Sequence, residues 1–186
     1  QTWKLMEATT QQQIEQAQKE LAGVEYLAAL RGFVRELQHH RDTSHAWLHG
    51  AATLRETVER RQKDVEAALS AMDGVDRRVA AKFGTTRLWN AVIGGTRALV
   101  ITDTVKPGDQ ARANELFHRR SLHIGETNAA LLFHVGDTSH LSRDLTREGY
   151  CLMNVLQGRG PELAEHLSKA RGLGAGLAAA AGRPAE

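Results

Sequence analysis

The stretch VEYLAALRGFVRELQHHRDTSHAWL, residues 24–48, decides the fold. Val24, Leu27, Leu30, Val34, Leu37 and Leu48 recur at spacings of three and four, or multiples of them, which is the stripe of an amphipathic helix. The pattern runs back to about Trp3 without a proline, and Gly23 and Gly32 are its only glycines. A helix over that whole span would be roughly 65 Å long, unusual for a compact enzyme. His49 and Gly50 end it, with glycine at the expected stop.

Three more helical stretches follow. The second starts near Ala52, with Leu54, Val58, Val65, Leu69, Met72, Val75, Val79 and Phe83 in helical period. Gly84 interrupts it, and Thr85-Thr86 can cap a continuation carrying Leu88, Trp89, Val92 and Ile93. Val100-Ile101-Thr102 is β-branched, but a lone strand has nothing to pair with, so helix is expected there too. Lys106-Pro107-Gly108-Asp109 is the clearest turn. The third helix spans about Gln110 to Val135, with Phe117, Ile124, Leu131 and Val135 facing the core, and Gly136 to Ser139 break it. The fourth spans about Asp144 to Leu173 on a stripe of Leu145, Leu152, Leu156, Leu163 and Leu167, with a kink or restart at Pro161. The expected architecture is therefore all-α, an antiparallel up-down four-helix bundle with long first helices. It occupies residues 1–173, with 174–186 a flexible tail or linker. Four alternating passes would return both chain ends to one end of the bundle.

Composition narrows the function. With 24 basic and 22 acidic residues spread along 186, no basic block offers a face for nucleic acid. Cys151 stands alone, so no internal disulfide forms and the cysteine count fixes no compartment. No apolar run approaches the roughly 18–20 residues that span a bilayer. The chain opens at Gln1 inside a helical pattern, as expected of a piece cut from a longer protein.

Polar residues on the apolar stripes mark candidate function. Stepping from Val34 and Leu37 along the first helix leads to Arg41, then Ser44 and His45, before Leu48 restores the apolar face. A guanidinium on a core stripe needs an anion. Arg41 either holds an anionic ligand group by bidentate hydrogen bonds or pairs with an internal Asp or Glu. Ser121 and Asn128 occupy stripe positions on the third helix, beside Arg119, Arg120 and His123. His45 and His49, one turn apart, form half of a zinc site with no further ligand at a recognisable spacing. The alternative is a di-metal carboxylate site. It would use the Glu-x-x-His pairs Glu36/His39 and Glu115/His118, yet Glu59, Glu66, Glu148 and Glu165 on the other helices show no inward-facing pattern. Nothing resembles a phosphate loop, a nucleophile elbow or a triad, so no enzymatic chemistry and no cofactor are expected.

The run Leu37-Gln38-His39-His40-Arg41-Asp42-Thr43-Ser44, continuing to Leu48 and Gly50, resembles a motif of nitrate/nitrite-sensing and related all-helical periplasmic domains. There, Leu-Gln, two variable residues, Arg-Gly, a small residue and Ser close the first long helix. Asp137-Thr138-Ser139, Leu141, Asp144 and Tyr150-Cys151-Leu152-Met153-Asn154 are similar to a pattern of related chemoreceptor-type ectodomains, and Trp89, Leu167 and Arg171-Gly172 extend the likeness over most of the chain. Asp42, Cys151 and Asn154 depart from the family's glycine, tyrosine and aspartate. The resemblance implies a periplasmic ligand-sensing domain of a membrane-anchored receptor for chemotaxis or two-component signalling, working as a homodimer, with both chain ends near one membrane-proximal end of the bundle. It implies a small ligand held between helices by Arg41, His45, Tyr150 and Asn154, with an anionic group matched to Arg41. Those residues meet if the end of the first helix and the start of the fourth share one end of an antiparallel bundle.

Overall fold

A computed structural model describes residues 2–101, 106–143 and 147–182. The chain is all-α, with no strand among the described residues. Helix α1 spans Thr2–Leu48, α2 spans Arg55–Phe83, and α3 spans Thr86–Thr96 and runs on into a π-helical turn, Arg97–Ile101. Helix α4 spans Gln110–Thr138. Helix α5 covers Arg147–Met153, and a π-helical stretch, Asn154–Arg159, leads into α6, Gly160–Ala181.

The first helix and the Lys106–Asp109 turn lie where the pattern puts them. Gly108 takes φ +109° in that turn, and the Asp109 side chain caps α4 by accepting from the Arg112 backbone N–H at 2.9 Å. Gly136 does not break α4, which continues to Thr138. Asp144 and Leu145, and likewise Thr102, lie outside the described residues.

The second stretch is not one helix. Gly84 ends α2 in the left-handed conformation, φ +66°, with its N–H on the Ala80 carbonyl. The chain then reverses. Thr85 donates to Asp76 Oδ1 at 2.6 Å, Tyr26 donates to the same oxygen at 3.0 Å, and the Trp89 indole reaches back to Asp73 Oδ1 at 3.0 Å. Burial and the Asp76 carboxylate push the Tyr26 phenol well above its ordinary range, so it stays a donor. Trp89 packs edge-on against Phe33, ring centres 5.5 Å apart. Thr96 then meets His123, and the Leu99 carbonyl meets Arg120.

The path is therefore five passes. Helices α2 and α4 run antiparallel to α1: Glu36 faces Arg61 and Tyr26 faces Asp76, while His49 pairs with Asn114 and Arg41 with Ser121. Helix α6 runs parallel to it, Gln38 meeting Glu165 and Asp42 meeting Arg171. Helix α1 is the axis on which α2, α4 and α6 pack. Its C-terminal half buries Tyr26, Leu27, Leu30, Phe33, Val34 and Leu37. Residues 6–18 are exposed all round, and Val24, expected in the core, is half exposed. Gly176 of α6 lies against His45 and His49. Residues 2 and 182 consequently sit at opposite ends of the described structure, not at one end as four passes would require.

The last helix turns an unexpected face inward. Gln157, Glu165, Ser168, Gly172 and Gly176 are buried, whereas Leu152, Leu163 and Leu167 are 58–63% exposed. Residues 174–181, expected to be a loose tail, are regular helix. Pro161 explains the π-helical stretch before it. In that register the Gly160 N–H bonds the Val155 carbonyl, so Leu156 O awaits the next N–H, which proline lacks. Arg31 of α1 donates to that carbonyl instead.

Candidate functional site

The C-terminal third of α1 carries Gln38, Arg41, Asp42 and His45 on one face, with His49 just past its end, and all five are buried. Arg41 is 0% exposed. Its Nε donates to Asp42 Oδ1 at 2.9 Å, Nη1 to Glu165 and to Ser121 Oγ (3.1 Å), and Nη2 to Ser168 Oγ at 3.0 Å. The guanidinium carbon also lies 4.9 Å from the centre of the Phe117 ring, a cation–π distance. Of the two roles open to Arg41 in the sequence, the structure has the internal pairing. A charge so far from water is tolerable only with such a shell.

The shell has its own outer layer. Asp42 accepts from Ser168 Oγ at 2.8 Å and from Arg171 Nη2 at 2.8 Å. Glu165 accepts from Gln38 at 2.8 Å, and Lys169 Nζ stands 3.6 Å from its Oε1. Helices α1, α4 and α6 are thus joined by one polar network.

Gly172 lets α6 come this close. A Cβ there would stand 2.6 Å from Asp42 Oδ1 and 2.9 Å from Phe117 Cε2, while one at Gly174 meets nothing within 4 Å. Alanine in place of a helical glycine ordinarily gains about 0.5–1 kcal/mol, and Gly174→Ala should do so. Gly172→Ala should instead lose about 1–3 kcal/mol, as overpacked sites do. Urea unfolding of the two variants checks this, and equal effects would refute the close contact.

Tyr150 and Asn154 do not join Arg41. Both are exposed on the segment before α6, and the residues that reach Arg41 are Glu165 and Ser168. Fifteen residues separate Tyr150 from Glu165, a helical rise of about 22 Å. His45 is in the layer, its ring 4.5 Å from that of Phe117 and 4.4 Å from that of His49. Glu165 was in view in the sequence but carried no inward pattern. The signal is the small and polar series Glu165, Ser168, Gly172, Gly176, which shares one face of α6.

No protein-family model, curated protein or solved structure matches this chain. The site therefore rests on its own geometry.

The two Glu-x-x-His pairs are not brought together. Glu36 lies 3.6 Å from His39 and 3.7 Å from Arg61. Glu115 pairs with Arg112 on an exposed face, where His118 is also exposed. No group of three metal-ligating side chains occurs among the described residues. His40 and His45 are 2% and 4% exposed. Burial, reinforced by the Arg120 charge, holds His40 down to about 3. Burial and His49 hold His45 down to about 4, against the Ala113 carbonyl and Asp42. Of the basic trio on α4, Arg119 is exposed, Arg120 is buried on Ser44 and the Leu99 carbonyl, and His123 bonds Thr96.

A groove of about 340 Å³ opens between α4 and α6. Leu132, Phe133 and Pro161 supply apolar wall, and Asn128, Glu165 and Lys169 supply polar groups. Glu165 belongs both to this groove and to the Arg41 shell. A larger hollow, about 580 Å³, lies at the tip beside Trp47, Arg55 and Pro107, without a link to the buried layer.

Proposed function

We propose that this chain is an extracytoplasmic ligand-sensing domain of a bacterial transmembrane signalling receptor, such as a chemoreceptor, histidine kinase or diguanylate cyclase, and that it works as a homodimer. The observation that carries the reading is the bare half of α1. Ile14, Ala17, Leu21, Val24 and Ala28 follow the alternating three-and-four spacing of a coiled-coil seam, and all five are exposed. Nothing in the described chain covers these apolar positions, and a second copy of the seam would take them out of water. The polar layer that joins α1 to α4 and α6 lies at the far end of the same helix, so a shift of α6 there acts directly on the rod that bears the seam. The Arg41 and Asp137–Asn154 resemblances support the same reading. Among the described residues no helix is long and apolar enough to cross a membrane.

The test uses Leu21→Cys in the parent protein, with the exposed Cys151 changed to serine. In cells with a permeabilised outer membrane, a membrane-impermeant maleimide should label residue 21. A short bis-maleimide should join two chains there. Labelling only after lysis would remove the extracytoplasmic reading, and labelling without cross-linking would remove the paired seam.

A further inference from the structure

We infer that the outer face of α6 is a second self-association surface, which seats the α6 of another copy of this chain in parallel and in register. The first ground is spacing. Leu163, Leu167, Ala170, Gly174, Leu177 and Ala181 follow one another at steps of four and three in strict alternation, the repeat that presents a seam to a partner helix. All six are exposed, the three leucines by 59–73%. The other side of α6 is the one committed to the fold, with Glu165 and Ser168 on Arg41 and Gly176 against His45. The seam therefore has no occupant from the described chain.

The second ground is Gly174. A Cβ at Gly172 or Gly176 would run into α1, which explains those two glycines, but a Cβ at Gly174 meets nothing within 4 Å. Glycine inside a helix costs about 0.5–1 kcal/mol relative to alanine, and the packing of the described chain does not answer that cost at 174. In the parallel pair Gly174 faces its counterpart one layer beyond Ala170 facing its own. The two backbones approach closely there, and the leucines at 167 and 177 close the seam on either side.

The third ground is charge. Residues flanking a seam choose its partner, and like charges there repel a copy. Here the flanks are Ala164, His166, Arg171, Leu173, Ala178 and Ala180, and Arg171 is held by Asp42. No flanking row of charge selects an oppositely charged protein. From Gly172 to Gly182 the helix carries no charge at all, where a helix lying on anionic lipid carries Lys and Arg along its polar edge. A second copy is the occupant this face suits.

The contact is distinct from the α1 seam. Across the pair the helices are ordered α1, α6, the second α6 and the second α1. Three steps of about 8–10 Å hold the two α1 axes roughly 24–30 Å apart, too far for their seams to touch. A chain with both surfaces has two different neighbours, so pairs formed on α1 join side by side into rows. The strip is about 27 Å long and one helix wide, less than the roughly 800 Å² per partner of a standard stable interface, so it acts between pairs already held close.

The parallel direction and the rows rest on the receptor proposed above, whose copies all stand the same way up, but the α6 contact is measured without it. With the α1 seam disabled by Leu21→Glu, sedimentation velocity at millimolar concentration should show dimers that dissociate on dilution. Adding Gly174→Glu, which sets carboxylate against carboxylate across the seam, should abolish them while the unfolding midpoint stays level or rises. Adding Gly174→Lys instead should do the same, and mixing the two variants should restore the dimer. No dimer of the Leu21→Glu chain, dimers that survive Gly174→Glu, or a mixture that stays monomeric would overturn the inference. Binding to phosphatidylglycerol vesicles that Gly174→Glu removes, with the dimers unchanged, would give the face to a membrane instead. Should Leu21→Cys fail to cross-link while the charge-swapped pair forms, the α1 seam falls and the α6 contact stands.

Discussion

Arg41→Met is expected to lower the stability of the unliganded protein by about 3–5 kcal/mol, the range for removing one partner of a buried ion pair. The thioether fills most of the space but leaves Asp42 and Glu165 facing each other without the guanidinium between them. Ser121 and Ser168 lose an acceptor-seeking donor as well, and the ring of Phe117 loses its cation. Arg41→Lys should recover only part, since one ammonium cannot follow the planar fork to Asp42, Glu165, Ser121 and Ser168 together. Replacing Arg41 and Glu165 jointly by methionine and leucine should cost less than the sum of the two single changes, because the partners are removed together. Urea unfolding at neutral pH reads all of these. A single Arg41→Met variant with the wild-type midpoint would mean that Arg41 is not the buried partner of Asp42 and Glu165.

Acid should unfold the domain earlier than its carboxylates alone predict. His40 and His45 are neutral in the fold, with pKa values held down to about 3 and about 4 from 6.5. Below pH 6.5 the unfolded chain therefore binds more protons than the folded one. Stability is complete above that value and falls as pH drops toward 4, with His40 still contributing below it. The slope reaches up to about 1.4 kcal/mol per pH unit for each histidine. Arg120 faces His40, and His49, Asp42 and Arg41 face His45. His49 adds to the effect, and Asp42 opposes it. His40→Gln should flatten the profile between pH 6.5 and 4 whatever it does to stability at neutral pH. An unchanged slope would mean that His40 is not buried as a neutral group.

The long first helix, the turn at Lys106–Asp109 and the odd position of Arg41 were all legible in the sequence, because each depends on neighbours a few residues away. What escaped it was long-range. Gly84 reads equally well as a weak spot within a helix or as a stop. The choice is made by Thr85 on Asp76 and by the Trp89 indole on Asp73, bonds that form only once the chain has turned back. Helix α6 misled in the opposite way. Its leucines mark the apolar stripe, yet burying Arg41 demands carboxylate and hydroxyl partners, and that requirement turns Glu165 and Ser168 inward and Leu163 and Leu167 out. A stripe shows which face can be dry, whereas a charge on a neighbouring helix decides which face is needed. Tyr150 and Asn154 followed the wrong choice of register, which placed the meeting point with Arg41 some four turns too early along the chain.

An odd number of passes makes the domain a strut rather than a clasp. Partners joined at residues 2 and 182 would be held about 70 Å apart by the length of α1, with no hinge among the described residues of that helix to fold them together. In the proposed sensor role, the domain could not report by drawing its two attachments closer. Its output has to travel as a small slide or rotation along one axis, and the length of that axis sets how far apart cause and consequence can lie.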